Sequence, residues 1–182
     1  ILGGSEARLG KLLAPWVHGD DSGPCLSSWG FTVVQEPGSN YVVWGVVPQL
    51  VRSDTELVAP IRADSPIGRI FERHRVAGEP MPFAIVLGGS PVSVLSAAFN
   101  RRRGGLTAAE VAGALQRSPL QLVKCETSSL LVPATAEVVI EGVVWPTRSA
   151  PGGEFPGSFG YFTSGTGDVP VWEITTITHR NK

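Results

Sequence analysis

An uninterrupted apolar run at residues 83–87 is the feature that most constrains how this chain can fold. Pro82 precedes the run and two glycines follow it at positions 88 and 89, which gives it the length of a strand rather than a helix. Because the run contains no polar residue, both faces of that strand must be buried. The chain therefore needs a sheet covered on both sides, and 182 residues suffice to bury such a core in one domain.

Further strand-like segments lie before and after a helical middle section. Residues 31–34, 41–47 and 56–59 are rich in the β-branched and aromatic side chains that favour strands. The same composition returns after Pro119, with Gly, Pro and Ser turns between successive segments. These later candidates are residues 120–125, 129–132, 137–144 and 169–177.

Three helices are predicted in the middle section. Apolar residues at helical spacing from Ile67 place the first helix, which ends near Gly78. Pro91 opens the second helix. Thr107, with Glu110 three residues later, forms a capping box that begins the third. Strands, then helices, then strands again predict an α+β domain with a barrel-like antiparallel sheet.

Two other segments have weaker patterns. Residues 5–16 carry apolar side chains at approximately helical spacing, which predicts a short helix. Residues 149–167 are rich in Gly, Pro and Ser. That stretch is too long for an ordinary connection, so we interpret it as a functional loop.

Composition argues against several classes of partner. The formal net charge of −1 argues against nucleic acid or an anionic membrane surface, and no apolar stretch is long enough to cross a bilayer. The one basic cluster, residues 101–103, is interpreted as a solvated loop. Cys25 and Cys125 lie far apart, without zinc-binding spacing. We interpret both as buried thiols of a reduced, cytoplasmic protein.

Three longer motifs follow one another in the second half of the chain. Each combines an apolar segment with Gly, Pro or Glu at defined places. The motifs are M-P-F-A-I-V-L-G at 81–88 with Pro91 after it, A-G-A-L at 112–115 running on into L-V-K-C-E-T at 122–127, and V-P-A-T-A-E-V-V-I-E-G at 132–142.

Together these motifs resemble the UbiD family of prenylated-FMN-dependent decarboxylases, and I-T-H-R at residues 177–180 is similar to a segment near that family's end. The resemblance covers residues 30–180 and implies a split β-barrel with a few flanking helices. Residues 1–182 would then form a single stand-alone UbiD-like domain whose first 29 residues match poorly. Within it, we expect residues 132–142 to form one long strand beside residues 169–177.

The resemblance also implies that the family's metal ligands are replaced. Its N-x-x-x-x-R pattern is matched by Asn40, but the Arg position falls on Gly45. Its metal-binding His falls on Pro66 and, without gaps, its metal-binding Glu falls on Ala108. One Asn cannot hold a divalent ion alone. We therefore expect no metal and no cofactor, with prenylated FMN as the alternative if Asn40 still faces a flavin.

The family's acid/base pair is altered as well. Both carboxylate positions fall on glycines, Gly152 and Gly157. Glu154 is the one carboxylate left in that loop, so it is the candidate catalytic residue if the chain catalyses a reaction. Glycines 152, 153 and 157 would let the loop approach a ligand closely. The alternative is that Glu154 points to water.

Three polar residues also have structural interpretations. Asn40 follows Pro37-Gly38, where Asn is favoured in an ordinary turn. Glu137 and Glu141 resemble structural positions of the family, paired or exposed at an edge, more than catalytic ones.

Small residues stand at the positions where the family has polar side chains. This replacement predicts a cleft without charged groups and with aromatic side chains around its rim. Such a cavity suits a mainly apolar ligand, although the same aromatics could simply fill the vacated space. The candidate pocket residues are Trp44, Trp145, Phe155, Phe159 and Tyr161.

Three functions remain open from the sequence. The first is a UbiD-like barrel that binds a small apolar molecule without prenylated FMN, as a cyclase- or isomerase-type enzyme of small-molecule biosynthesis. The second is an accessory or regulatory subunit of a UbiD-type (de)carboxylase, as a homodimer or with a UbiD-type partner. The third is an atypical prenylated-FMN-dependent decarboxylase, a divergent lyase.

Overall fold

The computed structural model describes residues 1–16, 18–26, 30–99, 105–156, 162–164 and 167–181. Three α-helices lie in the middle of the chain: α1, Pro66–Ala77; α2, Pro91–Ala98; and α3, Ala108–Gln116. The strands are β1, Leu2–Gly3; β2, Gly30–Gln35; β3, Val42–Gly45; β4, Leu50–Val51; β5, Glu56–Val58; β6, Met81–Leu87; β7, Leu122–Lys124; β8, Leu131–Pro133; β9, Val138–Pro151; β10, Glu154–Pro156; β11, Phe162–Ser164; and β12, Asp168–His179.

One antiparallel sheet organises the described chain. Its strands follow the order β3-β2-β6-β9-β12-β5-β4, with β1 added beside β12. The apolar run predicted to be buried on both faces forms most of β6, and Phe83, Ala84, Ile85 and Val86 are fully buried there. This arrangement confirms the α+β class, with β6, β9 and β12 at the centre and β3 at one edge.

The predicted pairing of the two long C-terminal strands is confirmed, but the predicted boundary of the first is wrong. β9 pairs with β12 along nearly its whole length, from Val138 opposite His179 to Pro151 opposite Asp168. Residues 132–142 are not one strand, however, because the chain turns after Pro133 and β8 pairs with β7 instead. The Ala136 amide donates to the Pro133 carbonyl across that turn, at 3.1 Å.

Gly142 allows β9 and β12 to approach closely. The pairing shifts between Ile174 and Thr176, and a Cβ atom built on Gly142 would overlap the carbonyl oxygen of Glu173. It would also lie 2.8 Å from Cζ of Phe83. The glycine of the E-G motif is therefore required by the backbone of the sheet.

The predicted helix ends are confirmed. Ser65 caps α1 by accepting a hydrogen bond from the Gly68 amide at 2.9 Å, and Gly78 ends it in the left-handed conformation at φ 70°. Thr107 and Glu110 form the capping box of α3, because each side chain accepts from the other's backbone amide. The Glu110 amide lies 3.2 Å from Thr107 Oγ1, and the Thr107 amide lies 2.7 Å from Glu110 Oε2.

Two segments with weaker patterns differ in secondary structure from their predictions. Residues 5–16 form two short 3-10 turns, Gly4–Glu6 and Leu9–Lys11, because Leu9 is buried while Leu13 is fully exposed and no continuous apolar face exists. Residues 149–167 are not one loop, since β9 continues to Pro151 and β10 pairs with β11. Residues 157–161, 165 and 166 lie outside the described residues.

Both cysteines are buried and unpaired, as predicted. Burial raises the pKa of the Cys25 thiol to about 11 and that of the Cys125 thiol to about 12. The predicted basic loop, residues 101–103, lies outside the described residues. None of the helices in the described part of the chain is long and apolar enough to span a bilayer.

Candidate functional site

A cavity of about 340 Å³ lies beside the edge strand β3. Four segments enclose it: β3 with the residues after it, the connection before α1, the first turn of α1, and the end of α2. The lining is mostly aliphatic, aromatic and proline side chains. It consists of Val43, Trp44, Gly45, Val46, Val47, Pro48, Pro60, Ile61, Arg62, Ser65, Pro66, Ile67, Ala97 and Ala98.

Two positions where the resemblance implied polar side chains line this cavity. Gly45 is the last residue of β3, and a Cβ atom there would lie 2.8 Å from Cδ1 of Ile67. Pro66 is the first residue of α1, a position that suits proline because its missing amide would have no helical partner. Ile67 therefore takes up the space that a longer side chain at position 45 would need.

Ala108, the third of these positions, lies behind the cavity wall. It is buried at the start of α3, in an apolar cluster that also contains Trp44 and Ala97. Trp44 stacks on Phe31 with ring centroids 4.6 Å apart. The wall on this side is thus closed by packed apolar groups.

The polar side chains of the lining are already engaged. Ser65 Oγ donates to the Arg62 carbonyl at 2.7 Å and accepts from Gly68. The Arg62 guanidinium pairs with Asp64 through two bonds of 3.1 and 2.7 Å at an exposed position. This pairing raises the pKa of Arg62 and lowers the pKa of Asp64. Arg62 is the cation of the lining.

The five predicted aromatic residues are not brought together. Trp44 lines the cavity, whereas Phe155 is fully buried in a separate cluster with Cys25, Leu50 and other apolar residues. Trp145 lies on β9, where 39% of its surface is exposed, and it does not line this cavity. Phe159 and Tyr161 lie outside the described residues.

Glu154 lies in β10, away from the cavity beside β3. Its amide donates to Ser22 Oγ at 2.7 Å, and its carbonyl accepts from the Ser22 amide at 3.2 Å. A Cβ atom on Gly153 would overlap Ser22 Oγ. In the described part of this loop, Gly153 therefore allows an approach to the segment around Ser22, and Glu154 is absent from the residues that line the cavity.

Asn40 is separated from Gly45 and Pro66 by the length of β3. It lies in the turn between β2 and β3 and lines a different cavity, together with His74. Asn40 and the two replaced positions therefore do not face one common space.

Glu141 is buried, with 1% of its surface exposed. Its carboxylate accepts hydrogen bonds from the Glu126 amide at 2.8 Å, the Thr127 amide at 2.7 Å and the Thr127 hydroxyl at 2.6 Å. Glu137 is exposed and pairs with Arg180 at 3.2 Å. Both glutamates thus have the structural, paired roles expected from the sequence.

Clustered metal-ligating side chains are absent from the described residues, where His, Cys, Asp and Glu nowhere gather in threes at a spacing suited to a metal ion. The cavity residues that the sequence did not suggest include the prolines at 48 and 60, Arg62, and the two alanines at the end of α2. The small side chains of α2 could have indicated this cavity from the sequence, because a helix of small side chains leaves room beside it.

The fold and the cavity define the class of protein: a mixed α+β barrel-like domain with an apolar cleft at the edge of its sheet. A family model described as the "3-octaprenyl-4-hydroxybenzoate carboxy-lyase Rift-related domain" of UbiD matches residues 1–182. The chain belongs to the UbiD family.

Curated relatives agree with this assignment. Pyrrole-2-carboxylic acid decarboxylase of Pseudomonas aeruginosa is 30% identical over 179 residues, covering 98% of this chain and 36% of that protein. Ferulic acid decarboxylase 1 of Saccharomyces cerevisiae is 27% identical over 184 residues, covering 100% of this chain and 36% of that protein. The chain thus spans about a third of the length of these relatives, and both are decarboxylases rather than cyclases or isomerases.

A solved structure of the same family has a closely similar fold. An evolved dimeric form of the UbiD-class enzyme HmfF from Pelotomaculum thermopropionicum, in complex with prFMN, aligns with a TM-score of 0.89 and 31% identity. The alignment covers 97% of this chain and 41% of that one. Apo 3,4-dihydroxybenzoic acid decarboxylase from Klebsiella pneumoniae aligns with a TM-score of 0.80 and 27% identity, covering 97% of this chain and 38% of that one.

Proposed function

We propose that this UbiD-family domain binds a small, mainly apolar molecule in the cavity beside β3, without a metal-bridged flavin. The observation that carries this proposal is that Gly45 and Pro66 line a cavity of about 340 Å³ whose other lining residues, apart from Arg62 and Ser65, are apolar. That volume lies within the range of small-molecule sites, which are concave, mostly apolar and oriented by a few polar groups.

The donor set at the cavity does not fit a divalent ion on a flavin phosphate. Such an ion requires several oxygen or imidazole ligands. The cavity lining offers Ser65 and Arg62, of which one is a capping hydroxyl already bonded twice and the other a cation. The side chain of Ile67 also occupies the space beside Gly45.

The relatives suggest which apolar molecules to test first. Their names specify pyrrole-2-carboxylic, ferulic and 3,4-dihydroxybenzoic acids, each a planar ring with a carboxyl group. In our proposal, the ring of such an acid packs against Trp44 and the prolines, and its carboxylate replaces Asp64 on the Arg62 guanidinium. The cyclase- or isomerase-type reaction considered from the sequence has no support from these relatives, and we do not propose it.

The cavity can be blocked without disturbing the core. Ala98 is the last residue of α2, lines the cavity and is exposed, so Ala98→Trp should fill the space at little cost in stability. Ala77→Trp is a matched control, since Ala77 is the exposed last residue of α1 and does not line the cavity. Calorimetric titration with ferulic acid should show binding that Ala98→Trp weakens at least about tenfold, which corresponds to ~1.4 kcal/mol.

Two results would contradict this proposal. Equal weakening by Ala98→Trp and Ala77→Trp would place the ligand elsewhere. Micromolar binding of prenylated FMN that requires Mn²⁺ would show that a metal-bridged flavin is held despite the donor set of the cavity. Arg62→Ala should lower the affinity for ferulic acid but not for its methyl ester, because only the free carboxylate pairs with a guanidinium.

A second candidate function is that of a subunit in a UbiD-type assembly. Exposed apolar side chains lie on α2, on α3 and beside both: Leu95, Phe99, Leu106 and Leu115. Isolated exposed apolar residues are ordinary, but a group on neighbouring elements suits a protein interface. Here the proposed partner is a second copy of the chain, since a solved relative is described as dimeric. Light scattering should show a dimer that Phe99→Asp converts to a monomer, and a wild-type monomer at high concentration would exclude it.

A further inference from the structure

A groove of about 630 Å³ follows α3 from Thr107, before its first residue, to Arg117, after its last. That span corresponds to about 15 Å at the rise of an α-helix. The opposite wall comes from the segment 118–122, which leads from α3 into β7. A Cβ atom on Gly113 would lie 3.3 Å from the carbonyl oxygen of Ser118, so glycine lets this segment pack closely against the helix.

Opposite charges stand at the two ends of the groove. Glu110 lies in the first turn of α3, Arg117 lies directly after the helix, and both side chains are exposed and line the groove. Neither forms an ion pair with another residue in the part of the chain that the structure describes. The capping box leaves Glu110 charged, because hydrogen bonds from the Thr107 amide and hydroxyl lower the pKa of its carboxyl. Both bonds go to Oε2, so Oε1 can accept from another donor.

Arg117 occupies a backbone position that favours glycine. Its φ of 59° is left-handed, and it is the one residue other than glycine with a positive φ in the described chain. Its amide donates to the Ala114 carbonyl at 3.2 Å and so ends the helix. A glycine would end the helix equally well and without strain. What the arginine adds is its guanidinium, which points to a use for that group outside its own helix.

The spacing of the two charges makes the groove complementary to itself. Gly113 and Ala114 lie halfway between Glu110 and Arg117, and both line the groove. A two-fold axis through this midpoint places Glu110 of one copy opposite the partner subunit's Arg117, and the reverse contact follows by symmetry. Small residues at the centre allow the two helices to approach closely. A second copy of the chain therefore matches the groove better than a partner with charges of one sign.

We propose that two copies of the chain associate through this groove, with their α3 helices antiparallel and two symmetric ion pairs between Glu110 and the partner subunit's Arg117. This inference rests on the second candidate function, which takes a second copy as the partner, and it specifies how the copies meet. Leu106, one of the exposed apolar residues of that surface, directly precedes Thr107 and so borders the groove. The cavity beside β3 is separate, since no residue lines both.

Charge reversal at each end of the groove tests this arrangement, with the dimer Kd measured by sedimentation equilibrium. Arg117→Glu and Glu110→Lys each place like charges at both contacts, so each should raise the Kd at least about tenfold. An equimolar mixture of the two variants should form a heterodimer with a Kd within about threefold of the wild-type value, because every contact then joins opposite charges. Glu79→Lys is the control, since Glu79 is exposed and lies outside the groove.

Arg117→Gly separates the interface from the local backbone, and it leaves the capping box of Glu110 intact. It should raise the melting temperature of the dilute monomer by relieving the left-handed strain, and raise the dimer Kd by removing the guanidinium. An unchanged Kd in this variant, or no association in the mixture of two folded charge-reversal variants, would overturn the arrangement. If Phe99→Asp disrupts a dimer that these variants leave intact, the arrangement fails and the second candidate function stands. A wild-type chain that stays monomeric at high concentration would overturn both.

Discussion

The centre and the edge of the sheet each contain an aromatic pair beside a glycine, and the two glycines differ in what surrounds them. At the centre, Phe83 and Trp172 meet edge to face with centroids 4.8 Å apart, next to Gly142. At the edge, Phe31 and Trp44 are stacked at 4.6 Å, next to Gly45. A Cβ atom on Gly142 would overlap a backbone carbonyl, whereas one on Gly45 would meet only the end of a side chain.

This difference separates what the fold requires from what the cavity permits. A backbone carbonyl in a paired strand cannot move without breaking the pairing of β9 with β12, so glycine at 142 is imposed by the architecture. The nearest atom to a Cβ at position 45 would be the terminal methyl carbon of the Ile67 side chain, so no backbone group imposes glycine at 45. The small residue at 45 is therefore explained by the Ile67 side chain beside it and not by a backbone contact.

The largest expected effect is at the centre. Gly142→Ala should lower the free energy of unfolding by about 3 kcal/mol, because the added methyl group forces apart strands that cannot relax separately. Urea denaturation followed by circular dichroism measures the change. A loss of less than about 1 kcal/mol would show that β9 and β12 separate easily at their bulge, and the contrast with Gly45 would fail.

The buried carboxylate of the central strand gives the next largest effect. Glu141→Ala should lower the free energy of unfolding by about 2 kcal/mol, since it leaves the amides of Glu126 and Thr127 without their acceptor. Hydrogen exchange of those two amides should accelerate in parallel. Glu137→Ala, immediately before the same strand, is the control, because its exposed pair with Arg180 contributes at most about 1 kcal/mol. Equal losses in both variants would refute the distinction.

Local patterns in the sequence were sufficient for most of the fold. The capping box at Thr107 and the glycine stop at Gly78 predicted helix ends because both depend on neighbouring residues alone. The apolar run of β6 predicted a central strand for the same reason. The end of β8 at Pro133 was missed, since it depends on pairing with β7, a partner that local composition does not reveal.

The candidate site was predicted less well, because it depends on which side chains face one space. Gly45 and Pro66 were identified through the family resemblance, and both line the cavity. Trp145 and Phe155 have suitable chemistry, yet one is partly exposed and the other lies in a separate core cluster. Their direction follows from strand register, and a one-residue difference in register reverses the face of a side chain.

A smaller effect is expected at the edge. Gly45→Ala should change the free energy of unfolding by less than about 1 kcal/mol, because the gain from replacing glycine in a strand offsets the adjustment of Ile67. The same methyl group narrows the cavity, so ferulic acid should bind more weakly to this variant than to the wild type. Destabilisation as large as that of Gly142→Ala would mean that the edge is packed as rigidly as the centre.

The smallest effect is expected at Glu154, where the fold uses the backbone rather than the side chain. The Glu154 amide and carbonyl both bond to Ser22, and the residue pairs with Ser164 across the β10–β11 hairpin. Ser22→Ala should therefore lower the free energy of unfolding by about 1 kcal/mol, because it removes the hydroxyl acceptor of the Glu154 amide. Glu154→Gln should change stability by less than about 0.5 kcal/mol. It should also leave ferulic acid binding unchanged, since Glu154 does not line the cavity beside β3.

Two outcomes would instead support the role of Glu154 as a catalytic acid that the sequence suggested. One is a folded Glu154→Gln variant that no longer binds ferulic acid. The other applies if the wild-type protein decarboxylates an aromatic acid: a folded Glu154→Gln variant that loses this activity. In that case the β10–β11 hairpin, and not the edge of the sheet, would be the region that carries the chemistry.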